Sequence, residues 1–195
     1  MSRRRRNGLN FGKQRKKFNF PLFKEVISWI VEIAIIIGIA YVCVSSFGLR
    51  TSVVGQAMEP TLDVGEQILI DRFSYVISKP KAQDVIVFLP NGNTKSHYYV
   101  RRVVGVPGDV VQIQNGAVYV NGKLFDEAID VPSMEDAGLA ADEIKLGANE
   151  YFVLGDNRNN SDDSRYANVG TVMKDYIIGK AWFHFSSVYN AGFIH

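Results

Sequence analysis

A long apolar stretch stands near the start of this chain. From Ile27 to Phe47 the sequence is mostly apolar, and its only charged residue is Glu32. The 20 residues of Ser28–Phe47 are about the length that crosses the hydrocarbon core of a membrane. The pattern therefore predicts one transmembrane helix within residues 25–48.

Beyond this stretch, in residues 49–195, short apolar runs alternate with Gly, Pro, Asn and Asp, which is typical of strands and turns. Asn115-Gly116 predicts a tight hairpin because both residues tolerate positive φ, and Asn121-Gly122 predicts a second reversal. The segment 134–145 fits either one short helix or a loop. We expect a mainly β, antiparallel domain in which residues 110–150 form a subsidiary lobe. The predicted strands are Arg50–Val54, Gln67–Asp71, Val85–Leu89, Tyr98–Val104, Val110–Gln114, Ala117–Val120, Lys123–Phe125, Tyr151–Leu154 and Ile178–Phe185.

The formal net charge of +2 hides a basic arm in residues 1–24, which hold nine Lys or Arg and no acid. Such an arm indicates nucleic acid or an anionic membrane as its partner, and the apolar stretch that follows favours lipid. The positive-inside rule then places the N-terminus in the cytoplasm and residues 48–195 outside the cell membrane. A cleaved signal peptide fits less well, because the apolar run is too long and Ser46-Phe47-Gly48 is a weak cleavage site.

Two other chemistries find little support in the sequence. The three histidines, His97, His184 and His195, stand outside any Ser-His-Asp pattern and are interpreted as structural. The acidic segment Gly155–Arg165 does not fit a calcium loop, because Arg158, Ser161 and Ala167 occupy its third, sixth and twelfth positions. We therefore expect no metal and no cofactor. Cys43 is the only cysteine, so the outer domain has no disulfide.

Three dense segments resemble one known family. They are Gly55–Leu62, Tyr99–Asp109 and Gly155–Arg165, and the strand Asp84–Phe88 matches the interval between the first two. In this order, after an apolar span, they resemble the type I signal peptidases in the short form of Gram-positive bacteria. Those enzymes are membrane-bound serine endopeptidases that remove signal peptides from exported preproteins after Ala-x-Ala. The resemblance covers essentially the whole chain and implies the same β fold with a small variable lobe.

The resemblance also implies a role for individual positions. The catalytic Ser of the family corresponds to Ala57 and the general-base Lys to Arg101, while Ser161 matches the serine that hydrogen-bonds the lysine amine. The backbone N–H at position 57 would be an oxyanion donor. The positions that match residues supporting the site are Gly55, Met58, Pro60, Gly155, Asp163 and Arg165.

These two substitutions remove the chemistry that the family needs. Ala57 has no oxygen to attack a peptide bond. A buried Lys can lose its proton and act as a base, whereas the guanidinium of Arg101 stays protonated. We therefore expect the chain to be inactive as written.

Three hypotheses follow from this sequence. The chain is a signal peptidase whose dyad was removed deliberately or recently, or a natural pseudoenzyme that binds exported precursors or assists surface or pilus assembly. The third is a peptidase with another nucleophile, Ser52 or Ser161, and it is disfavoured. Ser52 lies an odd number of residues before position 57, so a strand would point it to the opposite face. In all three, the expected partners are signal peptides and anionic lipid, with no nucleic acid.

Overall fold

The computed structural model describes residues 20–47, 49–187 and 190–194. Helix α1, Phe20–Phe47, contains the only stretch of the described residues that is long and apolar enough to span a membrane, Phe20–Val42, with a mean hydropathy of 2.1. The described part of this helix extends to the N-terminal side of residue 25, where the sequence predicted the span to begin. Most of the basic arm, residues 1–19, lies outside the described residues.

The rest of the described chain is mainly β, as the sequence predicted. The strands are β1 (Leu49–Ser52), β2 (Gln67–Asp71), β3 (Val85–Phe88), β4 (Tyr99–Gly105), β5 (Val110–Gln114), β6 (Ala117–Val120), β7 (Lys123–Leu124), β8 (Ile144–Lys145), β9 (Glu150–Leu154), β10 (Val172–Met173), β11 (Ile177–Ser187) and β12 (Asn190–Phe193).

Two antiparallel sheets divide these strands. The larger has the order β1-β2-β11-β3-β4-β9-β10, with β12 paired to β11, and the smaller has the order β7-β6-β5-β8. The smaller sheet contains the predicted hairpin, whose Asn115 and Gly116 have φ of 51° and 75°. The second turn is confirmed in the same way, with positive φ at Asn121 and Gly122.

Strands β3 and β4 form the middle of the larger sheet and are covered on both faces. Val85 and Val87 pack in one apolar cluster with Ile68 and Ile70, and Ile86 and Phe88 pack in another with Val103 and Val153. All four residues of β3 are buried, which explains its uninterrupted apolar sequence. Strand β4 is therefore held firmly, and Arg101 lies within it.

The structure differs from the sequence prediction in several elements. Strand β1 ends at Ser52, two residues early, because Gly55 has a φ of 79° and the chain turns away. The segment 134–145 is neither a helix nor a plain loop. It has a 3₁₀ turn at Gly138–Ala141 and the strand β8, which pairs with β5. The short helix α2 (Ser74–Ile77), β10 and β12 had not been predicted.

Candidate active site

Ala57 lies in the loop that follows β1 and is almost fully buried, with 7% of its surface exposed. Its carbonyl oxygen accepts a hydrogen bond from Asn157 N at 3.0 Å. The side chains of Asn157 and Asn160 donate to Gln56, to its carbonyl and its side-chain oxygen respectively. Hydrogen bonds thus join the loop of Ala57 to the segment Gly155–Arg165.

Met58, Pro60 and Gly55 shape the same loop. Met58 is 1% exposed in the apolar core, and its carbonyl accepts from Leu62 N at 2.9 Å. Pro60 lies at the surface after a cis peptide bond. The left-handed φ of Gly55 is a conformation that glycine adopts at little cost. Of these three residues, Met58 anchors the loop in the core directly after Ala57.

Arg101 lies on β4 and is 6% exposed, and its hydrogen-bond partners among the described residues are backbone carbonyl oxygens. Its Nε and Nη2 donate to Asp162 O at 2.8 and 2.6 Å, and its Nη1 donates to Val100 O at 2.7 Å. Its guanidinium carbon also lies 5.0 Å from the ring centroid of Tyr99. Burial lowers the pKa of Arg101 from its ordinary value, against the opposing effect of Asp163 and other nearby acids.

Ser161 approaches the loop of Ala57 closely, and Gly155 makes this possible. A Cβ at position 155 would overlap Ser161 Oγ and lie 2.5 Å from Ala57 O. Ser161 Oγ is buried and has no hydrogen-bond partner among the described residues. The guanidinium of Arg101 donates to the carbonyl oxygen of Asp162 and not to the hydroxyl of Ser161.

Two buried ion pairs brace these segments. Arg165 Nε and Nη2 bind both carboxylate oxygens of Asp163 at 2.8 and 2.9 Å, and Asp163 also accepts from Gly155 N. Arg102 and Asp156, both 0% exposed, form a second two-point pair with Nε–Oδ1 and Nη2–Oδ2 distances of 2.8 Å.

Several of these partners were not found from the sequence. Asp156 had been considered only as a calcium ligand, yet it binds Arg102 and accepts from Thr61 Oγ1 at 2.6 Å. Arg158 Nη1 and Nη2 bind Glu127 at 2.7 and 2.8 Å. Nothing in the sequence says which of the 20 acids pairs with each of these two buried arginines.

An open cavity of about 520 Å³ brings the candidate positions together. Ala57, Arg101 and Ser161 all line it. Its other lining residues are Val54, Gly55, Gln56, His97, Tyr98, Tyr99, Asn159, Asn160, Asp162 and Tyr166. The three candidate positions therefore share one cavity.

The alternative residues are placed differently. Ser52 is exposed, accepts a hydrogen bond from Gln67 Nε2 and is not among the residues that line the cavity. The alternation of side chains along a strand does not explain this placement, because β1 ends at Ser52. His97 does line the cavity and stacks on Tyr99 at 5.2 Å between ring centroids. His184 Nδ1 lies 3.3 Å from Glu66 Oε1, while His195 lies outside the described residues. No cluster of three potential metal ligands occurs in the part of the chain that the structure describes.

Comparison with known proteins gives consistent matches. The family described as signal peptidase, peptidase S26, matches residues 26–186. A probable signal peptidase I-2 of Synechocystis sp. is 35% identical, covering 76% of this chain and 71% of that protein. Signal peptidase IB of Staphylococcus aureus is 34% identical, covering 83% of this chain and 90% of that protein. A solved signal peptidase I from Enterococcus faecalis V583 is 27% identical, with a TM-score of 0.41, covering 53% of this chain and 97% of that one.

Proposed function

Because the chain belongs to the type I signal peptidase family, peptidase S26, we propose that it is a membrane-anchored member that binds signal peptides without cleaving them. The family reaction is the removal of signal peptides from exported preproteins by a Ser–Lys dyad. The observation that carries the proposal is that Ala57 and Arg101 line one cavity together with Ser161. The loss of both functional side chains therefore falls on one site.

The catalytic step fails at two points in this proposal. Ala57 supplies only a backbone N–H, which suits an oxyanion but cannot attack a carbonyl carbon. Arg101 cannot remove a proton, because a guanidinium stays protonated in proteins even where burial lowers its pKa, as it does here. Loss of the nucleophile alone costs on the order of a millionfold in turnover in a well-characterised serine protease.

The surroundings remain suited to a lysine base. The hydroxyl of Ser161 is enclosed without a partner, and a lysine amine at position 101 would supply one. The pair Asp163–Arg165 and the glycine at 155 hold that hydroxyl close to the loop of Ala57. Intact support of this kind favours an enzyme that lost its dyad deliberately or recently over a lineage long freed from catalysis.

An extended signal peptide fits along an unpaired strand edge. Strand β4 pairs with β3 from Tyr99 onward, but its register with β9 begins only at Arg102. The segment Tyr99–Arg101 thus has one edge without a strand partner in the described chain, next to the cavity. A peptide bound there adds a strand and brings small side chains of the Ala-x-Ala type to the cavity.

The membrane arrangement belongs to the same proposal. Residues 25–48 span the cell membrane, the basic arm 1–24 meets anionic lipid in the cytoplasm, and residues 49–195 lie outside. The family supports a membrane anchor, and helix α1 is long and apolar enough to be one. Anchoring confines the chain and its signal peptides to one surface, which raises their effective concentration.

The double reversion Ala57→Ser with Arg101→Lys tests the function directly. Cleavage of a preprotein in detergent or lipid by the revertant, with none by the parent, is the expected result. A folded revertant without activity would favour the natural pseudoenzyme that binds precursors or assists surface assembly. Signal-peptide binding by the parent is expected under both readings, so its absence would contradict both.

A further inference from the structure

The guanidinium of Arg101 has donors that the protein does not use. An arginine carries five N–H donors, and the hydrogen bonds of Arg101 to the described residues engage three of them, one each on Nε, Nη1 and Nη2. The two remaining N–H groups are on Nη1 and Nη2, and Arg101 is 6% exposed in the cavity wall. A buried guanidinium with spare donors favours an anionic acceptor.

The charges around Arg101 do not provide that anion. Two of the nearest acids are already bound to other arginines, Asp163 to Arg165 and Asp156 to Arg102. Asp162 offers Arg101 its carbonyl oxygen, and its own side chain is exposed. No carboxylate lies within ion-pair distance of Arg101 in the described chain. The cavity wall therefore holds a buried cation without a paired counter-ion.

We propose that this cavity is a carboxylate site that takes the free C-terminus of a peptide ending in a small residue. The inference rests on the proposed signal-peptide binding and names its preferred form, a signal peptide already cut elsewhere rather than an intact precursor. A carboxylate matches the planar guanidinium of Arg101, whereas an uncut chain offers only a neutral amide carbonyl. Ala57, with a methyl side chain, leaves space for the second oxygen.

The placement follows from the strand edge described above. A peptide paired along Tyr99–Arg101 runs beside the cavity that Ala57 and Arg101 line. Its C-terminal residue would end there, with one carboxylate oxygen able to accept from the N–H of Ala57. In a relative with the Ser–Lys dyad and the same geometry, the lysine can lose its proton. It would then offer no positive charge to the carboxylate, whereas an arginine stays charged. Arginine at position 101 thus makes the cavity favour the cut signal peptide over the intact precursor.

The test compares three forms of one fluorescent signal peptide that ends in Ala-x-Ala. They are the free acid, the C-terminal amide and a version extended past the cleavage point, each titrated by anisotropy into the full chain in detergent. We expect the acid to bind about tenfold more tightly than the amide or the extended form, the size of effect typical of a charge-assisted hydrogen bond. Acetate, which offers the carboxylate alone, should compete with the acid.

Variants assign the effect to Arg101. In Arg101→Gln the acid and amide should bind alike, whereas Arg50→Gln, a change at an exposed arginine on β1, should keep the preference. Thermal unfolding of both variants reports whether they fold, and the acetate competition needs no variant at all. A preference that survives in folded Arg101→Gln would overturn the proposal.

Failure of this inference is separable from failure of the proposed function. Equal binding of all three peptide forms by the parent would refute the carboxylate site and leave signal-peptide binding intact. Absence of binding by every form would refute signal-peptide binding itself, and the inference with it.

Discussion

Replacing Gly155 by alanine tests how closely the segment of Ser161 approaches the loop of Ala57. The new Cβ would overlap Ser161 Oγ and lie 2.5 Å from Ala57 O. Rotation of Ser161 would move its Oγ but not its Cβ, which also lies 2.5 Å from the new atom. The carbonyl of Ala57 is backbone and is held by Asn157 N at 3.0 Å, so it cannot yield without breaking that bond.

The expected cost follows from this overlap. Adding a carbon to a packed site costs about 1–3 kcal/mol. For a domain of this size that loss lowers the Tm by about 2–4 °C per kcal/mol, which thermal unfolding in detergent resolves. Signal-peptide binding should weaken as well, because the overlap pushes the two sides of the cavity apart.

A control and a second variant sharpen the test. Gly147→Ala adds the same carbon where its three nearest atoms belong to the side chain of Glu150. That side chain can shift, although its carboxylate accepts from Gly147 N at 2.8 Å, so the change should cost less than Gly155→Ala. Combining Gly155→Ala with Ser161→Ala should recover only part of the loss, because the contacts with Ala57 O and with the Cβ of residue 161 remain. A Gly155→Ala protein as stable as the parent would refute the close approach of the two segments.

The other predictions concern buried polar groups. Asp156→Ala removes the acid that pairs with the buried Arg102 and should lower the free energy of unfolding, measured with denaturant, by about 3–5 kcal/mol. Lys180→Ala, at a pair whose lysine is 35% exposed, should lower it by less than about 1 kcal/mol. Equal losses would contradict the burial of the first pair. Ser161→Ala should leave stability unchanged or slightly higher here, since its hydroxyl lacks a partner, but should cost about 1 kcal/mol after Arg101→Lys. If Ser161→Ala changed stability equally in the parent and in Arg101→Lys, the hydroxyl of Ser161 would not be lacking a partner that the lysine supplies.

Local sequence signals predicted much of the fold. Asn115-Gly116 predicted its hairpin because positive φ at both residues is a property of the turn itself. The all-apolar run Val85–Phe88 predicted a strand, and the structure covers it on both faces. Residues 20–24 of α1 were not predicted as part of the span, because they are outside the apolar stretch on which that prediction rested.

The contacts of the site depend on residues far apart in sequence. Arg102 and Asp156 are 54 positions apart, and Thr61 and Asp156 are 95 apart. No local pattern chooses such partners, because sheet order decides which loops meet. The sequence resemblance named the positions Ala57, Arg101 and Ser161, and their roles stay predictions. That Arg101 donates to the carbonyl of Asp162 rather than to Ser161 became visible only in three dimensions.

The central claim is that two side chains, at positions 57 and 101, separate this chain from an active signal peptidase. The most direct measurement compares the parent, Ala57→Ser, Arg101→Lys and the double variant on one preprotein, with mass spectrometry of the new N-terminus. Cleavage after Ala-x-Ala by the double variant alone is predicted, rising with pH as the buried lysine loses its proton. Cleavage by the parent or by Ala57→Ser alone, or a folded, peptide-binding double variant that does not cleave, would contradict the account.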